Sequence, residues 1–297
     1  MFRKIGLLAI AALLLSGCST APEPWTAGTG PIKIVASTNV WGSVANLVAG
    51  KNATVTALVY NSNQDPHSFE ASARDQLAIN DADIVIMNGG GYDDFVEKLV
   101  EADPTPAILV NAYMASGEDD GRNEHIWYDV DQVGDVAAVI GGAIEAVDSK
   151  LSDEVWASVD SFRAELAKRK DKLDAMAEAG TCGKVFATEP LVDYLLEDAG
   201  CVNVTPRAFS DAIEEERDVP PAVIDECKKV LAAGVDFMAV NISVGSAQVE
   251  ELQRSSATNI ATYGFGELLE MDPDTGEYYG TYLNMLDDAI TTIGGAF

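Results

Sequence analysis

Histidine occurs only twice in this chain of 297 residues, at His67 and His125. Basic side chains are also scarce. Lys and Arg total 19 against 48 Asp and Glu, a formal net charge of -29. A surface so acidic repels phosphate backbones and anionic headgroups, which excludes nucleic acid and bare anionic lipid as partners. The four cysteines never fall in a CxxC pair, so a thiolate zinc ribbon or dithiol redox centre is excluded. No HExxH occurs, and Gly89 to Gly91 lack the spacing of a GxGxxG or Walker loop, so a zincin and a phosphate-cradling loop are excluded too. Past residue 15 no apolar run reaches transmembrane length.

What is present begins with an N-terminal signal. Arg3 and Lys4 precede an apolar run, Ile5 to Leu15, too short for a secure span. Leu15-Ser16-Gly17-Cys18 then resembles a bacterial lipobox, in which Cys18 receives the lipid. The expectation is a lipoprotein signal peptide over 1–17 and a lipidated tether over 18–30, rich in Thr, Pro, Gly and Ala. Loss of Arg3 and Lys4 with the signal leaves 17 basic and 48 acidic residues, a net of -31. The body is then extracytoplasmic and lipid-anchored to the cell membrane. That compartment permits a disulfide among Cys182, Cys201 and Cys227, with the pairing left open.

The remaining sequence alternates short β-rich runs with amphipathic helices. Strands are expected at 32–36, 53–60, 83–87 and 107–110, with helices between them. The alternation resumes at 185–187 and runs through 202–204, 237–240 and 259–262 to a last helix at 281–293. Such alternation predicts βαβ units and parallel sheets. Between the halves, Val155, Val159, Phe162, Leu166, Leu173 and Ala177 recur at three- and four-residue steps. Neither Pro nor Gly intervenes before Gly180, so one helix of about 28 residues, roughly 42 Å long, is predicted. The fold class is therefore α/β, with two lobes, each a mostly parallel sheet flanked by helices, joined by one long rigid helix. The lobes are expected at 31–150 and 181–297, with the spine at 151–180.

Ligands of open parallel sheets collect at the carboxyl ends of strands. His67 follows the strand at 53–60, and His125 follows the one at 107–110. Glu189 follows the strand at 184–187, and Glu267 the one at 259–262. A cleft between lobes brings two imidazoles and two carboxylates together, a set that suits Mn²⁺, Zn²⁺ or Fe²⁺ and not Cu⁺. Asp65 and Asp129 are candidates to orient the histidine rings as acceptors behind them.

These segments resemble the cluster A-I substrate-binding lipoproteins of zinc and manganese ABC transporters. Asp65-Pro66-His67-Ser-Phe-Glu70 resembles the family's first-ligand motif. Glu124-His125-Ile-Trp127-Tyr-Asp129 resembles the second, although the family usually has Asp-Pro before this histidine where this chain has Asn123-Glu124. Asn88-Gly-Gly-Gly-Tyr-Asp resembles its Asn-Gly turn. Thr188-Glu189-Pro190 falls where the third ligand is expected, and Tyr282-Leu-Asn-Met resembles the helix after the fourth-ligand loop, for which Glu267 is the nearest carboxylate in register.

The resemblance implies a monomer without enzymatic activity. It would capture one divalent ion, Mn²⁺ or Zn²⁺, in an interlobe cleft and pass it to an ABC permease. The stretch before His125 is acidic and lacks the His-rich loop common in zinc-binding members, which leans the expectation toward manganese. A metal-stabilised surface adhesin and a metallohydrolase are the competing classes. The second would need an open coordination position and a general base beside metal-bound water.

Overall fold

The stretch expected to be tether ends in a strand, Trp25–Gly28, the first among the described residues. The structure is a computed structural model and describes residues 25–61, 64–117, 123–243, 245–255, 260–270 and 280–296. The signal peptide and Cys18 lie outside the described residues. Among these residues no helix is long and apolar enough to cross a membrane.

The first lobe runs β1 (Trp25–Gly28), β2 (Ile32–Thr38), α1 (Asn39–Ala49), β3 (Ala53–Val59), α2 (Ala73–Asn80), β4 (Ile84–Met87), α3 (Phe95–Ala102) and β5 (Ile108–Asn111). Its strands lie in the order β1-β3-β2-β4-β5, parallel except for β1. Thr26 of β1 stands opposite Thr56, and Gly28 opposite Thr54, in antiparallel register. A segment this rich in small residues carries no alternating apolar pattern, so it reads as a linker; an edge position needs backbone pairing and little else. The inner strands are Val- and Ile-rich because helices cover both faces of the sheet. A short helix α4 (Ala112–Ala115) follows β5, and α5 (Val130–Val147) leads to the spine.

The spine, α6, spans Ser152–Ala179, the 28 residues that the periodicity predicts. Val155, Val159, Phe162, Leu166 and Leu173 are buried along one face, each contributing about 1.5–3 kcal/mol of apolar burial. It lies close against α5, where a Cβ on Gly141 would come within 2.9 Å of Val159 Cγ2. Glycine here permits a close helix crossing that any larger residue would wedge apart.

The second lobe comprises β6 (Lys184–Ala187), α7 (Asp193–Asp198), β7 (Val202–Asn203), α8 (Arg207–Glu214), α9 (Pro221–Ala232), β8 (Phe237–Asn241), α10 (Ala247–Ser255), β9 (Ala261–Phe265) and α11 (Tyr282–Gly295). Its four parallel strands run in the order β7-β6-β8-β9. A disulfide joins Cys182 to Cys201, just ahead of the paired strands β6 and β7, while Cys227 is a free, fully buried thiol. Helix α8 has no counterpart in the sequence expectation, because Arg207–Glu214 is short and flanked by an acidic run. Between β6 and β7 the chain makes a 3-10 turn (Pro190–Val192) and then α7.

The lobes are tied together at several points. Asn39 of α1 donates to the Leu269 carbonyl (3.1 Å) and accepts from the Leu269 amide (3.0 Å). Tyr128 donates to the Gly266 carbonyl at 2.7 Å. Leu268 packs into an apolar cluster of the first lobe with Val35, Leu58 and Val85. Helix α11 reaches back as well: its Tyr282 amide donates to Ser43 Oγ at 2.9 Å, and its hydroxyl to the Trp127 carbonyl at 2.6 Å. Each such bond is worth about 1 kcal/mol net, and together they hold the strand-end loops of both lobes against one another.

Candidate metal centre

His67 sits in the loop after β3, and Asp65 sets its ring. Asp65 Oδ1 accepts from the His67 backbone N–H at 2.9 Å and lies 3.2 Å from ring Nδ1. Ser68 Oγ donates to the other Asp65 oxygen at 3.0 Å. Burial alone would raise the Asp65 carboxyl, but these hydrogen bonds outweigh it and hold the group below the usual range. With Nδ1 engaged, Nε2 points away, toward Glu124 Oε1 at 3.5 Å and Glu214 Oε1 at 3.7 Å.

His125 caps a 3-10 turn over Ile126–Tyr128 and is fully buried. Asn123 Oδ1 accepts from its backbone N–H at 3.0 Å and lies 2.7 Å from its Nδ1. Its Nε2 makes no hydrogen bond and lies 3.4 Å from Glu214 Oε1. One carboxylate oxygen of Glu214 thus stands between the Nε2 atoms of both histidines. The other, Oε2, is buried without a hydrogen-bond partner. Buried polar atoms in native proteins are almost always satisfied, so two orphans at one point mark a place for a ligand. The ligand atoms of His67, Glu124 and Glu214 lie within 4.8 Å of one another.

Two more acids lie close enough to this cluster to repel Glu214. Asn241, at the end of β8, donates through Nδ2 to Glu189 Oε2 at 2.6 Å and also to Glu267 Oε1. Tyr92 donates its hydroxyl to Glu267 Oε2 at 3.1 Å, and its ring meets that of His67 edge-on at 4.9 Å. Both carboxylates are buried.

The electrostatics follow from crowding. Burial alone would lower His67, yet Asp65, Glu124 and Glu214 override it and hold the imidazolium to about 10. Burial pushes Glu214 up to about 9, helped by repulsion from Glu124 and Glu189. Glu189 rises to about 7, mainly through burial, with the Asn241 bond opposing and Glu267 repulsion adding. Burial takes His125 down to about 4, leaving a neutral ring with a free lone pair. A cation placed here would replace protons as the balancing charge. Two neutral imidazole nitrogens with carboxylate oxygens fit a borderline or hard divalent transition metal.

A family model described as zinc-uptake complex component A, periplasmic (ZnuA), matches residues 34–296. The chain belongs to the ZnuA family. Among curated ZnuA-like relatives, the manganese-binding lipoprotein MntA of Halalkalibacterium halodurans is 27% identical over 173 residues, 56% of each chain. The manganese-binding lipoprotein MntA of Bacillus subtilis is 26% identical over 179 residues, 57% of this chain and 56% of that protein. These matches thus span little more than half the length of the curated relatives. Among solved structures, FpvC from Pseudomonas aeruginosa in complex with Mn²⁺ superposes with a TM-score of 0.72 at 21% identity, covering 89% of this chain and 98% of that one. The periplasmic zinc-binding protein TroA from Treponema pallidum gives 0.72 at 17%, covering 90% and 99%. At these identities the likeness establishes the two-lobed fold.

Within this ZnuA-type fold, the four residues expected to ligate do not stand alike. His67 and His125 converge, each with Nε2 inward. Glu267 and Glu189 are near one another and share Asn241. The oxygen that faces both imidazoles belongs to Glu214, which sequence reading passes over. Its only signal was position: an acid run, Glu214-Glu215-Glu216, just past a buried Phe209-Ala212-Ile213 face. Asp65 accepts from the His67 backbone and faces its Nδ1, as expected. Asp129 does not play that part for His125; its Oδ1 instead caps α5, accepting from the amides of Asp131 and Gln132 at 3.1 Å. Asn123 takes the place beside the ring.

Proposed function

We propose that this chain is the extracytoplasmic solute-binding component of a metal ABC transporter, capturing one Mn²⁺ or Zn²⁺ ion between its lobes and handing it to a membrane permease. Lipidation at Cys18 would keep it at the membrane surface, as a monomer, and the role is binding rather than catalysis. The observation that carries this reading is the meeting of His67 Nε2 and His125 Nε2 at a single oxygen of Glu214, 3.7 and 3.4 Å away. Family membership and the names of the manganese-binding relatives support it.

The ion would take His67, His125 and Glu214 as ligands. Glu267, tied to His67 through Tyr92, would be the fourth, with Glu189, which shares its Asn241 clamp, beside it. Binding would displace the proton held on His67, and Asp65 and Asn123 would keep both rings aimed during exchange. The hydrogen bonds between lobes would limit the closing motion to small tilts and loop ordering.

Elemental analysis of purified protein, with Mn²⁺ and Zn²⁺ in competition, tests this. One equivalent of tightly held ion is expected, lost in both His67→Ala and His125→Ala. If His67→Ala keeps a full equivalent at unchanged affinity, the site is elsewhere.

A further inference from the structure

Directly before His125 the family resemblance leads one to expect proline, and this chain has Glu124. The structure shows why a longer acidic side chain fits. Gly90 adopts a left-handed backbone (φ +69°), and a Cβ there would come 3.2 Å from Glu124 Cβ and 2.9 Å from Tyr113 Cδ2. Glycine therefore leaves the space that Glu124 fills. The backbone is braced as well. Asn88 Nδ2 and the Ile126 amide donate to the Glu124 carbonyl at 3.0 and 2.7 Å. From the other lobe, Tyr194 donates to the Asn123 carbonyl at 2.8 Å. So held, the carboxylate puts Oε1 3.5 Å from His67 Nε2 and joins the donor cluster with Glu214. Beside it, the unpartnered Nε2 of the fully buried His125 is aimed at the same cluster.

Resting on the metal-binding reading above, we infer that Glu124 is a further ligand of the bound ion, one that biases the site toward Mn²⁺ over Zn²⁺. With Glu124 added to His67, His125, Glu214 and Glu267, the site offers two nitrogens and three carboxylates. Zn²⁺ is commonly satisfied by four tetrahedral ligands and gains little from a fifth. Mn²⁺ favours carboxylate oxygen and higher coordination, so an added carboxylate strengthens it more. Zn²⁺ still holds the intrinsic advantage of the divalent series; Glu124 narrows that gap rather than reversing it.

The test is a pair of chelator-competition titrations, with Mn²⁺ and with Zn²⁺, on the wild type, Glu124→Gln and Glu124→Asp, with thermal melting to confirm folding. Glu124→Gln is expected to weaken Mn²⁺ by about tenfold or more and Zn²⁺ by about threefold or less, and to change the EPR spectrum of bound Mn²⁺. Glu124→Asp should recover part of the Mn²⁺ loss. Equal weakening of both ions would mean that Glu124 acts only as a charge beside His67, and would overturn the inference, as would no weakening at all. Those results leave metal binding by the wild type intact. A wild type that binds neither ion would instead bring down the functional reading and the inference with it.

Discussion

His125 donates its Nδ1 proton to Asn123 Oδ1, 2.7 Å away, and the other half of the Asn123 amide makes that assignment. Asn123 Nδ2 donates to the Pro190 carbonyl at 2.7 Å, so Oδ1 must be the atom that faces the ring. An amide oxygen can only accept. Nδ1 is therefore protonated, and Nε2 carries the lone pair turned toward Glu214. One side chain thus fixes the tautomer of a buried ligand and, by gripping Pro190, joins the two lobes beside it. Asn123→Ala should fold and still reduce metal affinity by about 10–100-fold, the usual cost of removing a partner behind a ligating histidine. Isothermal titration of both proteins reads this directly. Unchanged affinity would show that ring orientation is set by packing alone.

Glu214 faces both imidazoles without having been expected from the sequence, whereas Glu189 was expected to ligate and is held by Asn241. Glu214→Gln should weaken binding of Mn²⁺ or Zn²⁺ by about 10–100-fold or more, since its oxygen faces both imidazoles. Glu189→Gln keeps the acceptor that Asn241 needs and should cost about tenfold or less. Parallel titrations of the two variants check this. A larger loss for Glu189→Gln would show that Glu189 ligates the ion, as its place after β6 leads one to expect.

This contrast also shows what a sequence can convey about such a site. The spine helix was legible to the residue because its apolar spacing persists for 28 positions and little else produces that pattern. His67 and His125 were legible because a rare residue recurred at two strand ends. Glu214 was hidden among 48 acids, and its helix is too short to show a period. Its orientation depends on how α8 packs against β6, a contact between distant segments. Strand β1 was missed for a related reason, as edge pairing uses backbone that any sequence supplies.

Proton release offers an independent check. In the metal-free site His67 is held protonated, up to about 10, and Glu214 up to about 9, whereas His125, lowered to about 4, is already neutral at pH 7. A metal needs the imidazole neutral and the carboxylate ionised. Binding near pH 7 should therefore expel protons from His67 and Glu214 and none from His125. Apparent affinity should climb with pH through 7 and 8, flatten only near 9 to 10, and fall as pH drops. This differs from an ordinary histidine site, which levels off above about 6.5. Calorimetry at pH 7.5 in two buffers of different ionisation heat counts the protons released. Identical heats in both buffers would contradict the assignment.

The Cys182–Cys201 bridge makes a prediction about stability alone. It closes a loop of 19 residues that contains β6, the Glu189 turn and α7. Loop-closure entropy of the unfolded chain puts its contribution at about 3 kcal/mol, which for a domain of this size is a fall in Tm of about 6–12 °C on reduction or in a Cys182→Ser/Cys201→Ser variant. Cys227 cannot substitute, since its sulfur is fully buried in a separate cluster with Phe186, Phe209 and Met238, and burial pushes the thiol up to about 12. The thiolate that would attack a disulfide is thus almost absent at neutral pH. Differential scanning calorimetry with and without reductant measures the shift. His67, His125 and Glu214 lie outside this loop, and below the melting range native packing still holds Pro190 and Tyr194 against Asn123, so affinity there should change by less than about threefold. A loss of binding that tracks the loss of the bridge would mean that β6 and the Glu189 turn are part of the site's mechanical frame.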